Sequence, residues 1–300
     1  MEFLDEGTVR ALLTYEALIP AVQQALIGLS AGTIQQPVRS VMRVAEHEGI
    51  LGLMPASDGE LIGVKLVTIY ERNATEPTHQ AVIQLFSART GEPLVAMDGR
   101  LITEMRTAAV SAVAVRLLAR RDARVLAILG SGVQARSHVQ ALPMVRAFEE
   151  VRVWSRTAEH ARQFAREFGA TAMETAEAAL RGADVVVSAT GTHKPLVRGE
   201  WLARGAVVCA VGAVGPDKRE LDDAAMQGTI VVESREAATR ESGDLIGSGA
   251  AAGAEIGELL AGTQKLPERD SWIVFKSLGV GATDLAAARI VWERYRALRA

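Results

Sequence analysis

An apolar run, Val125-Leu126-Ala127-Ile128-Leu129, passes directly into Gly130-Ser131-Gly132-Val133-Gln134-Ala135 and then into residues of helical pattern. Few segments constrain a fold as tightly. The run reads as a buried strand, the glycines as a turn, and the remainder as a helix that begins at once. Gly130 allows the tight turn, Gly132 lets a pyrophosphate approach the backbone, and Ala135 is small enough for close helix–strand contact. The helix start then offers free N–H groups and the positive end of its dipole to phosphates. Ser131, Val133 and Gln134 complete this candidate dinucleotide loop, Ser131 as a phosphate donor. The end of the following strand carries the next piece of information. An NAD site usually has Asp or Glu there, to bind the ribose 2′-hydroxyl. Here the strand ends Trp154-Ser155-Arg156-Thr157. Arg156 can pair a 2′-phosphate through two hydrogen bonds. The expectation is NADP(H) in preference to NAD(H), with Ser155 and Thr157 beside the arginine.

The surroundings of this loop alternate strand and helix. Strands are expected at 125–129, 151–154, 185–189, 207–211 and 230–233, with a short extended piece at 170–173. Helices are expected at 133–147, 157–168 and 174–181. Alternation of this kind means right-handed crossovers and a parallel sheet. The chain before it is different. An amphipathic helix runs from about Val9 to Gly32. Extended runs follow at 38–44, 51–54 (closed by Pro55), 61–70, 81–87 and 94–97, the last meeting Asp98-Gly99, a hairpin signal. This part reads as a mostly antiparallel sheet. An Ala-rich helix over 103–119 joins the two parts, and 284–300 is helical again. The fold class is therefore α/β: a Rossmann-type dinucleotide domain at 121–283, and an α/β domain at 1–120 completed by the helix at 284–300.

Composition removes other possibilities. Lys plus Arg is 33 against 36 Asp plus Glu, so no basic excess points to nucleic acid or an anionic membrane. The single Cys209, inside an apolar run, allows neither an intrachain disulfide nor a cysteine zinc site. His47, His160 and His193 have no metal-binding spacing, and no metal is expected. No run reaches the roughly 18 apolar residues of a membrane span, and the acidic start Met-Glu-Phe-Leu-Asp-Glu is unlike a signal peptide. A soluble cytoplasmic protein is expected.

In the order Gln36-Pro37-Val38-Arg39, Met54-Pro55-Ala56, Gly63-Val64-Lys65, Pro77-Thr78-His79-Gln80, Thr103-Glu104-Met105-Arg106-Thr107, Gly130-Ser131-Gly132, Arg219-Glu220-Leu221-Asp222 and Phe275-Lys276-Ser277-Leu278-Gly279, the sequence resembles the ornithine cyclodeaminase/mu-crystallin family. The resemblance runs through most of the chain. It implies a homodimer, an N-terminal domain for substrate and dimerisation, and a central NAD(P) domain. It matches Arg39, Lys65 and Arg106 to the substrate site, and it adds Thr107, Thr190, Ser277 and Gly279 to the cofactor site. The chemistry suits an amino or imino acid, whose carboxylate wants the planar two-donor partner that arginine supplies. Lys65 lies in an apolar strand run, where a charge is costly unless paired or functional, and desolvation lowers its pKa toward proton transfer.

One position departs from the cyclodeaminase pattern. Val214 stands in Gly212-Ala213-Val214-Gly215-Pro216, where cyclodeaminases carry an Asp thought to handle the side-chain amine. Valine neither accepts a hydrogen bond nor moves a proton. Asp217 is near enough in sequence to substitute, or it caps the next helix. Ketimine reduction asks less, since an iminium carbon has only to receive hydride. The expected activity is NAD(P)H-dependent reduction of Δ1-pyrroline-2-carboxylate or Δ1-piperideine-2-carboxylate to an L-amino acid. The alternatives are ornithine cyclodeaminase, an open-chain amino-acid or opine dehydrogenase, and a non-catalytic protein that holds NADPH and a small carboxylate. His79 could line the substrate site, and His138, behind the phosphate loop, reads as a packing residue.

Overall fold

The computed structural model describes residues 2–300 and divides into two compact units: the chain up to Arg106 together with Gly279–Ala300, and Thr107–Leu278. The first unit begins with β1 (Glu2–Leu4), α1 (Glu6–Leu12) and α2 (Tyr15–Ser30). Strands β2 (Ser40–Val44), β3 (Gly49–Ser57), β4 (Leu61–Ile69), β5 (His79–Ser87) and β6 (Pro93–Asp98) follow, and then α3 (Arg100–Leu118). The sheet order is β1-β6-β5-β4-β3-β2, with β2 to β6 antiparallel and β1 parallel to β6.

Several expectations change here. The N-terminal helix is two helices, because Leu13 and Thr14 are extended and α2 restarts after Thr14. The strand β1 is too short to show a period and exists through its pairing with β6. Pro55 does not close β3, which continues to Ser57 beyond its last β2 partner, Leu53. At such an edge a proline's missing N–H is tolerated. Asp98-Gly99 is no hairpin. Gly99 still donates to Ala81 O at 2.8 Å, while the Asp98 carboxylate accepts from Arg100 N at 2.9 Å and opens α3 three residues early. The division between units falls inside α3 and before Gly279, not at 120/121 and 283/284.

The second unit carries β7 (Val125–Leu129), α4 (Val133–Ala141), β8 (Glu150–Trp154), α5 (Ala158–Phe168), β9 (Thr171–Ala172), α6 (Ala176–Leu180), β10 (Val185–Ser188), β11 (Val207–Ala210) and β12 (Thr229–Val232). After these come α7 (Arg235–Glu241), α8 (Gly243–Ser248), β13 (Ala254–Glu255), α9 (Ile256–Ala261) and β14 (Ile273–Lys276). Helix α4 stops at Ala141, short of the expected 147, since Pro143 cannot continue it and a single 3₁₀ turn follows. The eight strands are parallel, in the order β13-β12-β14-β11-β10-β7-β8-β9. Strands β10, β11 and β14 are buried along their whole length, which fits their mostly apolar sequences; Ser188 and Lys276, at the carboxyl ends of β10 and β14, are the polar exceptions. The order reverses between β7 and β10, and the last strand, β14, is inserted between β11 and β12.

The chain closes with α10 (Gly281–Ala297), which packs on α2 and across β3, β4 and β5 within the first unit. Gly63 makes room for it: a Cβ there would lie 3.0 Å from Leu285 Cδ1. Leu285, Ala287, Ala288 and Val291 fill this layer. On the opposite face of the sheet Met42, Leu66 and Val82 are exposed. Among the described residues no single helix is long and apolar enough to cross a membrane.

Candidate active site

In the first unit the residues of β4 alternate, and Lys65 points to the α10 side with Gly63 and Val67. It is 2 % exposed, and its Nζ lies 2.7 Å from Asp284 Oδ2 in the first turn of α10. Arg106, in the second turn of α3, donates from Nε to Asp284 Oδ1 at 3.0 Å. Arg39 donates from Nη2 to Gly279 O at 2.6 Å. Gly279 has φ +79°, and a Cβ there would sit 2.6 Å from both terminal nitrogens of Arg106. Glycine thus supplies the left-handed turn before α10 and the space that the guanidinium occupies. Arg106 Nη1 is buried without a hydrogen-bond partner among the described residues.

The arrangement brings three cationic side chains and one carboxylate together. A second anion is what such a set accommodates, and Nη1 is a donor left over for it. Burial lowers the Lys65 pKa to about 7; Asp284 opposes the shift, while Arg106 and Arg39 add to it. Burial works to raise Asp284, but Lys65 and Arg106 outweigh it and hold the carboxyl below its usual range. Asp284 is the member that sequence reasoning missed. An Asp in the first turn of a helix reads as a partner of the helix dipole, and nothing local distinguishes this one.

In the second unit Gly130 has φ +108°, and a Cβ there would be 2.5 Å from Ala189 O. A Cβ at Gly132 meets nothing within 4 Å, and no side chain caps α4 behind it. The first N–H groups of α4 therefore open onto clear space, with Val133 exposed and Gln134 half-buried. Ser131 Oγ donates to Ser155 Oγ at 3.0 Å, which ties the loop to the end of β8. Arg156 and Thr157 are exposed just beyond. The crevice lies at the reversal of strand order, and these residues fit a dinucleotide. Thr107 is buried at the start of this unit, and Ser277 is buried after β14, its Oγ without a partner among the described residues. Thr190 spends both its N–H and its hydroxyl on Glu220.

The remaining polar residues have local roles. His138 is buried, its Nδ1 2.7 Å from Gln134 O and its Nε2 2.8 Å from Ser111 Oγ. Burial brings its pKa down to about 4, so it packs as a neutral ring. His79 is exposed at the start of β5, beside Thr78 Oγ1. Asp217 is exposed in a turn, and Val214 packs against the apolar core of its unit.

Strand order, phosphate loop and relatives together define an NAD(P)-dependent oxidoreductase. The model of the ornithine cyclodeaminase/mu-crystallin family matches residues 2–298, and the chain belongs to that family. It is 42% identical over 301 residues to the ketimine reductase mu-crystallin of Macropus fuliginosus, covering 97% of this chain and 96% of that one. The structure of Thermococcus litoralis Δ1-pyrroline-2-carboxylate reductase, in complex with NADH and L-proline, superposes with a TM-score of 0.94 at 32% identity, covering 99% and 98% of the two chains. An archaeal alanine dehydrogenase dimer with bound NAD also superposes with a TM-score of 0.94, at 30% identity over 100% and 97%.

Proposed function

We propose that this protein reduces a cyclic ketimine, Δ1-pyrroline-2-carboxylate or Δ1-piperideine-2-carboxylate, to L-proline or L-pipecolate, with NADPH as the preferred reductant. The observation that carries the reading is the unpartnered buried Nη1 of Arg106 beside Lys65 and Asp284. Its relatives of the same length, a ketimine reductase and a pyrroline-2-carboxylate reductase, support it. Arg106 and Arg39 take the substrate carboxylate. Lys65, with a pKa near neutrality, holds the proton that the imine nitrogen gains. Asp284 orients both Lys65 and Arg106 through its two oxygens. NADPH, when bound, supplies the hydride to the imine carbon. The loop Gly130 to Gln134 holds its pyrophosphate, with Thr107, Thr190 and Ser277 toward the nicotinamide end. Arg156, with Ser155 and Thr157, reads the 2′-phosphate. The turn at Gly279 shapes the cationic site. Val214, in place of a carboxylate, cannot handle a substrate side-chain amine, which argues against cyclodeamination unless Asp217 takes that role. The apolar face of Met42, Leu66 and Val82 suits a second copy of the chain, giving a homodimer.

The test is NADPH and NADH oxidation with each ketimine, followed by loss of near-ultraviolet absorbance, beside ammonia release from L-ornithine with NAD. Ketimine-dependent oxidation, faster in kcat/KM with NADPH and without ammonia, is expected. Ammonia and proline from ornithine would replace this reading with the cyclodeaminase one.

A further inference from the structure

One buried carboxylate holds the turns at the carboxyl ends of β10 and β11. Glu220, between β11 and β12, is wholly inaccessible. Its Oε1 accepts from Ser188 Oγ at 2.7 Å, from Thr190 N at 2.8 Å and from Thr190 Oγ1 at 2.8 Å. Its Oε2 accepts from Gly212 N at 2.8 Å and Ala213 N at 2.9 Å. Behind it Asp244 Oδ1 accepts the backbone N–H groups of Glu220 and Leu221, at 2.8 and 3.0 Å. Lys276, at the end of β14, reaches Asp244 Oδ2 at 2.8 Å and donates to Ala213 O at 2.8 Å. Ala213 is thus gripped through both its N–H and its carbonyl. Gly212 has no room for a side chain, because the backbone of Thr190 and Glu220 Oε1 fill that space.

These turns sit where the second half of a dinucleotide must go. The adenosine side belongs over the end of β8, at Ser155 and Arg156, and the pyrophosphate over Gly130 to Gly132. The other half then extends past the reversal point, over β10 and β11. Gly130 packs against Ala189 O, so the β10 turn directly adjoins the phosphate loop.

We propose that Glu220, backed by Asp244 and Lys276, is a positioning residue that fixes the Thr190 and Gly212–Ala213 turns as the floor beneath the nicotinamide half of the cofactor. The inference rests on the dinucleotide reading above. Burial pushes the Glu220 carboxyl up, but five donors converge on it, and a carboxylate suits this place because its two oxygens accept from both turns at once. A glutamine would turn an NH₂ group toward one of them and leave buried donors unmatched.

Binding to the full chain tests this with two ligands, NADPH and 2′,5′-ADP, the adenosine end of the same molecule. Glu220→Gln is expected to weaken NADPH by about tenfold, the loss typical of an unmatched buried donor, and to leave 2′,5′-ADP within about twofold. Ser188→Ala, which removes one donor and no charge, is expected to give a smaller loss of the same kind, and it serves if Glu220→Gln does not fold. Unchanged NADPH affinity in a folded variant, or an equal loss for both ligands, overturns the proposal. A wild-type chain that binds no dinucleotide overturns the cofactor reading as well. If the wild type prefers NADH, then NADH and ADP form the ligand pair.

Discussion

Lys65 shows how a single buried residue ties charge to pH. Its ordinary pKa is 10.5, and in the fold it is about 7, chiefly through burial. The protonated form is the one that serves imine reduction. The kcat/KM for reduction should therefore be flat at acidic pH and fall as pH rises through about 7. The reverse oxidation of the amino acid should rise over the same interval, because it needs the neutral amine. Lys65→Met should remove this limb from both profiles; a variant that keeps it would take the proton away from Lys65. Arg106 is the complementary case. Removing it takes away the unpaired donor and one of the two partners of Asp284, so Arg106→Ala should lower kcat/KM by about 2–4 kcal/mol. Unchanged kinetics would remove Arg106 from the site.

At the scale of elements, the turn between β14 and α10 carries a second consequence. Gly279→Ala places a Cβ where the Arg106 guanidinium lies, in a backbone conformation with φ +79°. The conformational strain costs about 1–2 kcal/mol. The substitution should therefore lower thermal stability modestly and kcat/KM by more than stability alone explains. Equal activity per folded molecule would show that the arginine has freedom to move. This turn also marks how far the sequence could be read. The phosphate loop was legible because strand, glycines and helix are contiguous, and each glycine answers a local steric demand. Arg39, Lys65 and Arg106 were legible through the family motifs and through the cost of a lysine in an apolar strand. Asp284 was not, since its partner Arg106 is 178 residues away and its local position suits an ordinary helix start. Asp98-Gly99 misled because the same dipeptide that turns a hairpin can also end a strand and open a helix. Glu220 stood in a recognisable segment, but its buried network with Asp244 and Lys276 exists only once the strand ends and loops converge.

For the molecule as a whole, the exposed face of β2, β4 and β5 predicts association. Met42, Leu66 and Val82 share that face, and Leu66 is 39 % exposed. Wild-type protein should sediment as a dimer, and Leu66→Glu should shift it toward monomer while keeping its helical content. A wild-type monomer at micromolar concentration would remove the second copy from that face. The place of β14 has a different outcome, in the order in which the chain is made. The strand that completes the parallel sheet is its last, inserted between β11 and β12, and the helix that brings Asp284 to Lys65 follows it. A nascent chain emerging from the ribosome therefore holds two unfinished cores until β14 and then α10 have been made. The second unit is complete once Leu278 has been made, whereas the first waits for α10, so a stop between Leu278 and Asp284 should leave the phosphate-loop unit folded and the Lys65 site without its carboxylate.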